Sequence, residues 1–292
     1  MKTDCSSATA LLIARGLWLA DETPALRPLV VADSAALTRR LLGAAEPARW
    51  FDFALRHQTA RALMFAAERF LLPGALLHWL ARKRLLDALA CEAIEAGCRQ
   101  LVVLGAGLDT LAWRWRDAVD SFELDHPATQ AIKRRALADG PVLVAADLSH
   151  ESVAVVLRAE PRFAANRPTL FIAEGLLMYL PAARVAALFG ELAALSAPGS
   201  RFAFTFMEAR PGQPLAFHNA SRLIAWWLAW RGESFRWGLG RDAAGAFVAQ
   251  HGWQLAALSS PEEMRRRFLA PHGLDRLPLA IGESVALAQL PG

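Results

Sequence analysis

Four short segments hold residues whose type and spacing can do chemistry. Gly105-Ala106-Gly107-Leu108-Asp109-Thr110 follows an apolar run and lets the backbone approach a ligand closely. It lacks the third glycine of a dinucleotide fingerprint, because Thr110 stands in that place. By itself it reads equally well as a plain tight turn. Asp125 lies twenty residues after Gly105, where a carboxylate can accept both hydroxyls of a ribose. The competing reading is a cap for the helix that opens at Pro127. Asp147-Leu148 can accept an adenine amino group on the carboxylate while the backbone N–H donates to the ring, or it can cap a helix near Glu151. Glu174 ends the apolar run Phe171-Ile172-Ala173, where an unpaired carboxylate is costly. A cationic ligand group such as an α-amine would pair it, and a structural arginine is the alternative. In sequence its nearest opposite charge is Arg167. Together the four segments point to an adenosyl ligand, and the missing third glycine favours S-adenosylmethionine over a nicotinamide dinucleotide.

These residues need a scaffold that brings strand ends together. Residues 1–99 read as helical. Ser6 or Ser7 caps a helix to about Trp18, and a longer helix spans Ala75 to Ala96 before Gly97 stops it. From Gln100 the pattern changes to short apolar runs alternating with helices. Strands are expected at Leu101–Leu104, Val119–Leu124, Pro141–Ala145, Thr169–Ala173, Phe202–Phe206, Trp253–Leu258 and Ser284–Leu290. A helix is expected from Pro127 to Ala138, and Pro181 opens another at its first position, with Gly199 just past its end. Such alternation predicts an α/β fold with a mostly parallel sheet and helices on both faces. Ligands then bind beyond the carboxyl ends of the strands, where the four segments fall.

Composition narrows the class. Of 292 residues, 54% are hydrophobic and 21% charged, so the chain can bury a core and form a single domain. The formal charge of +4 comes from scattered arginines. The one dense run, Arg265 to Arg267, follows Glu262 and Glu263 as on a solvated helix face, which argues against nucleic-acid binding. Cys5, Cys91 and Cys98 form no C-x-x-C pair and give no metal site. No leader or membrane-spanning segment is read, so a cytoplasmic location is expected.

The segments LVVLGAGLDTLAWR, FELDHPATQAIKRR, VAADLSHE and FIAEGLLMYLP, in that order, resemble the leucine carboxyl methyltransferase family, with its bacterial S-adenosylmethionine-dependent members and related polyketide O-methyltransferases. The resemblance covers roughly residues 27–210. It implies a class I, Rossmann-like fold with a seven-stranded sheet, an N-terminal helical segment, a core over residues 100–292 and a helical cover over 211–250. It implies S-adenosylmethionine as cofactor and a small-molecule carboxylate or hydroxyl as acceptor, in secondary metabolism. Methylation of a protein C-terminus, or a catalytically inactive cofactor-binding partner protein, are the alternatives. By position, Gly105, Ala106 and Gly107 would touch the methionine part, Asp125 the ribose, Asp147 and Leu148 the adenine, and Glu174 the amine side. An arginine on the helix before the first strand would hold the methionyl carboxylate; Arg82 is the best match and Arg84 the alternative. Tyr179, the only tyrosine, matches a position facing the acceptor.

The chain departs from the family where a D-P-Y-A-like segment appears as Asp33-Ser34-Ala35-Ala36, and beyond Arg210 the match fades. A hydroxyl acceptor would benefit from a base, and His126, His150, His218 and His251 are the histidines considered. His218 lies in the aromatic stretch Phe217–Trp237, whose four tryptophans either enclose a flat substrate or fill the core. His218 and Tyr179 are therefore the catalytic candidates.

Overall fold

Short apolar runs without helical spacing have one structure that buries both faces, a strand inside a sheet covered on both sides. In the computed structural model, which describes residues 7–45, 54, 55 and 57–291, β1 (Gln100–Leu104) and β4 (Thr169–Ala173) are buried at every position. They join β2 (Asp120–Asp125), β3 (Val142–Ala145) and β5 (Arg201–Glu208) in a parallel array. β8 (Glu283–Gln289) pairs antiparallel with both β5 and β7 (Gln254–Ser259). The order is β3-β2-β1-β4-β5-β8-β7. The seven expected strands form this path. An eighth, the two-residue β6 (Gly238–Leu239), pairs with β5 off the path, inside a segment expected to be helical cover.

Strand alternation divides the core in two. Leu101 and Val103 of β1 point to the face packed by the N-terminal helices, whereas Val102 and Leu104 join Phe122, Phe171, Leu188 and Trp253 on the other. The N-terminal helices α1 (Ala8–Asp21), α2 (Ser34–Ala45), α3 (Gln58–Leu71) and α4 (Ala75–Glu95) precede the sheet in the chain. Leu17 of α1 and Leu80, Leu86 and Ala90 of α4 lie in one apolar cluster with β1 and β4. The Ser7 side chain caps α1, which runs three residues past Trp18; Ser6 and Cys5 fall outside the described residues. α4 ends before Gly97, which adopts φ 108°. The Asp33-Ser34-Ala35-Ala36 segment starts α2, with Asp33 left-handed at φ 61°.

Between the strands run α5 (Leu111–Trp115), α6 (Pro127–Ala136), α7 (Val153–Ala159) and α8 (Ala182–Leu195), followed by α9 (Arg222–Arg231) and α10 (Ala244–Gln250) after β5. Pro181 is the cap of α8 and not its first residue, because its ψ of 147° is extended. The strand order reverses between β1 and β4, and the chemistry-bearing segments meet at their carboxyl ends. Among the described residues no single helix is long and apolar enough to cross a membrane.

Candidate functional site

The turn after β1 is built by glycine. Gly105 and Gly107 hold φ 63° and 51°, and a Cβ on Gly105 would stand 2.8 Å from Leu176 Cδ1. The Gly105 N–H donates to Leu124 O at 2.8 Å, tying the turn to the end of β2. There Asp125 accepts from the Gly107 N–H with Oδ2, and from the His126 N–H with Oδ1 at 2.6 Å. Desolvation pushes the Asp125 carboxyl above its usual range, and these two N–H groups only partly offset it. Asp125 does not cap α6; His126 does, its Nδ1 accepting from the Ala128 N–H at 3.3 Å. Asp147 does not cap α7 either, a role taken by Ser152. Its carboxylate accepts from the Ser149 N–H at 3.0 Å and from the Ser149 hydroxyl. Desolvation acts to raise it, but the Ser149 bonds outweigh that and hold it below the usual carboxylate range.

Glu174 is not unpaired, as its sequence neighbourhood suggested. The fold places Arg82 Nε 2.9 Å from Glu174 Oε1 and Lys83 Nζ 3.2 Å from Glu174 Oε2. This is the structural-arginine alternative, and it joins a larger network. Arg82 Nη1 also donates to both oxygens of Glu283, at 2.8 and 2.6 Å, and His78 Nε2 lies 2.8 Å from Glu283 Oε2. Lys83 reaches Asp109 Oδ1 at 3.1 Å. Lys133 is held by the Asp109 carbonyl at 2.8 Å and Glu123 at 2.6 Å. Burial works against the ionised form of Glu283, yet the Arg82 charge and the His78 hydrogen bond bring its pKa down to about 2. Of the two arginines, Arg82 is buried and lines the cavity, whereas Arg84 does not line it. Asp109, Lys83 and Glu283 were missed as site residues. The first two adjoin recognised motifs in sequence; Glu283 gives no sign beyond being a carboxylate ahead of an apolar run.

Arg82, Lys83, Glu174 and Glu283 line one side of a cavity of about 400 Å³ that also takes in Gly105 to Asp109, Asp125, Asp147 and Leu148. Its other side is α1, α9 and the residues after α9, so the cover is not confined to 211–250 as expected. Glu233, only 7% exposed, accepts from the Ala8 and Thr9 N–H groups at 2.9 and 3.2 Å and from the Thr9 hydroxyl, clasping the N-terminus of α1. Tyr179 lines the cavity, hydrogen-bonds Thr9 and packs 5.6 Å from the Phe235 ring; burial raises its pKa, so the phenol stays protonated.

His218 is a correction. It does not line the cavity: its Nε2 lies 3.3 Å from Glu208 O, and the ring packs against Gly282. The tryptophans divide. Trp227 lines the cavity and Trp237 belongs to the core, but Trp226 and Trp230 are each 66% exposed and take no part in the lining. Among the described residues no three His, Cys, Asp or Glu side chains are grouped to hold a metal ion.

Comparison with known proteins identifies the family and the fold. The leucine carboxyl methyltransferase family model matches residues 12–193. A protein of Mycolicibacterium paratuberculosis, provisionally named an S-adenosyl-L-methionine-dependent methyltransferase, is 33% identical over 287 residues, covering 90% of this chain and 87% of its own. A Mycolicibacterium smegmatis protein with the same provisional name is 36% identical over 217 residues, 69% of this chain and 68% of its own. In fold, the chain is similar to a DUF574 family protein from Streptomyces avermitilis (TM-score 0.58, 18% identity, 84% of this chain and 97% of that one). A Thermobifida fusca structure provisionally described as a methyltransferase gives TM-score 0.56 at 17% identity, covering 92% and 99%.

Proposed function

The chain belongs to the leucine carboxyl methyltransferase family and is an S-adenosylmethionine-dependent methyltransferase; from that premise we propose that it methylates an oxygen, carboxylate or hydroxyl, of a small molecule. The residues present fit the cofactor. The turn presents backbone, not side chain, to the cavity: Gly105 and Gly107 both line it with positive φ, and a Cβ on Gly105 would strike Leu176. Arg82 and Lys83 are outnumbered by Asp109, Glu174 and Glu283, so the cluster is negative and suits a ligand whose amine and sulfonium outweigh its carboxylate. Asp125 would accept the ribose hydroxyls, Asp147 and Leu148 would take the adenine, and Gly105, Ala106 and Gly107 would border the methionine part. Glu174 would hold the amine, and Arg82, braced by Glu283, the carboxylate. When bound, the cofactor supplies an electrophilic methyl group on a sulfonium that leaves readily.

What remains for the protein is to hold the acceptor in line and keep water out. The observation that carries the small-acceptor reading is the apolar part of the cavity lining, Ile13, Phe217, Ile224, Trp227 and Phe235, beside which Glu233 ties the N-terminus of α1. Such a space suits a compact apolar molecule better than a polar peptide backbone. Tyr179, protonated, serves as a hydrogen-bond donor that positions the acceptor and not as a base. The test is incubation with cell extract and isotope-labelled S-adenosylmethionine, followed by mass spectrometry. A labelled small molecule is expected. Label confined to a protein C-terminus, or cofactor binding without any labelled product, would overturn the reading.

A further inference from the structure

Outside the cavity, two helices turn large apolar side chains to solvent. On α9, Leu223, Trp226 and Trp230 are 53%, 66% and 66% exposed, and helical spacing gathers them within about 60° of arc. On α3, which buries no residue, Leu63 and Phe70 are each 71% exposed and lie on one side of the helix, about two turns apart. The helices meet at their ends: the Ser221 N–H, at the start of α9, donates to the carbonyl of Leu71, the last residue of α3, at 2.8 Å. Ile224 and Leu228 of α9 are turned the other way and line the cavity.

The charge exposed on these helices has one sign. Arg69, Arg222 and Arg231 are exposed. The Arg231 guanidinium lies 5.6 Å from the Trp230 ring, and by helical angle Arg222 flanks the opposite side of the stripe. No carboxylate occurs in α9, and the single one in α3, Glu68, accepts from the Leu76 N–H at 3.3 Å at the start of α4.

We propose that α3 and α9 dock the protein on an anionic lipid membrane, lying on it without crossing it. Tryptophan and phenylalanine settle at the headgroup level, leucines reach the acyl boundary, and arginines meet the lipid phosphates. A fluid bilayer takes in side chains that stand out from a surface without needing matching pockets. A second copy of the chain suits this face less well, because two-fold pairing would set an all-basic surface against itself. Docking sets the outer face of α9 on the bilayer while its inner face still walls the site.

The test sediments the full chain, with saturating S-adenosylhomocysteine, on sucrose-loaded vesicles of phosphatidylcholine alone or mixed equally with phosphatidylglycerol. Binding to the anionic vesicles is expected to be at least about tenfold tighter than to the neutral ones, and to weaken as salt rises. Trp226→Ser with Trp230→Ser should weaken it about tenfold or more, and Arg222→Gln with Arg231→Gln about thirtyfold. Val155→Ser, which removes a 67% exposed apolar side chain from α7, should leave it unchanged. All variants should bind S-adenosylhomocysteine as the wild type does, which establishes that they are folded. The proposal is overturned if the wild type binds neither vesicle, if it binds both equally, or if either pair of side chains is dispensable. It is also overturned if light scattering shows a dimer that Trp226→Ser with Trp230→Ser converts to a monomer, since a second copy then covers the face.

Discussion

Replacing Glu283 by glutamine isolates the buried ion network from the rest of the fold. Glu283 is fully buried, accepts two hydrogen bonds from Arg82 Nη1 at 2.8 and 2.6 Å, and meets His78 Nε2 at 2.8 Å. Glutamine keeps the volume but removes the charge and presents N–H donors toward groups that need acceptors. Breaking a buried pair by removing one partner costs about 3–5 kcal/mol. Arg82 keeps Glu174 as a second partner, which places the expected loss near the lower bound, about 3 kcal/mol. For a chain of this size that corresponds to a fall in Tm of roughly 6 °C. Differential scanning fluorimetry of the ligand-free protein reads this directly, and the double variant with Arg82→Met should lose less than the sum of the two single losses.

The same substitution carries a pH signature. The folded pKa of Glu283 is about 2 against an ordinary value of 4.5. A depressed carboxyl stabilises the fold fully above the unfolded value and loses that contribution as pH falls through the folded one. The gap in Tm between wild type and Glu283→Gln should therefore be constant above about pH 4.5 and close progressively toward pH 2. A Tm within 1 °C of wild type at neutral pH (~0.5 kcal/mol or less), or losses for Arg82 and Glu283 that simply add, would refute the argument that the two form one network.

Asp125→Ala should weaken S-adenosylmethionine binding by about 1.5–3 kcal/mol for each charge-assisted hydrogen bond to the ribose that it removes, measured by calorimetry. Unchanged affinity in a folded variant would remove Asp125 from the site. Trp227→Ala should raise the acceptor's KM with little effect on cofactor affinity, because Trp227 lines the cavity. Trp226→Ala and Trp230→Ala, at positions 66% exposed, should leave KM unchanged and stability within about 0.5 kcal/mol of wild type; equal effects at all three positions would contradict the placement of α9.

Local chemistry made the strands and the cavity-lining turns legible in the sequence. Apolar runs of four to six residues, a glycine pair at one strand end and carboxylates at three others are short-range features. The fold preserves them: Gly105, Asp125, Asp147 and Glu174 all meet at the reversal between β1 and β4. Helix direction was less determined. Arg82 and Arg84 sit about 200° apart around one helix, and which of them faces the site depends on what the helix packs against. The same holds for Trp226, Trp227 and Trp230, whose spacing fits a core face or a lid equally well. The partners of the charged groups were beyond reach altogether. Glu283 lies 201 residues from Arg82 and Glu233 lies 225 from Ala8, and no periodicity connects them. A buried charge takes whichever opposite charge the sheet order brings to it. That is why the sequence by itself determined the strands, the turns and the carboxylates at the strand ends, while only the tertiary structure decided which cations those carboxylates hold.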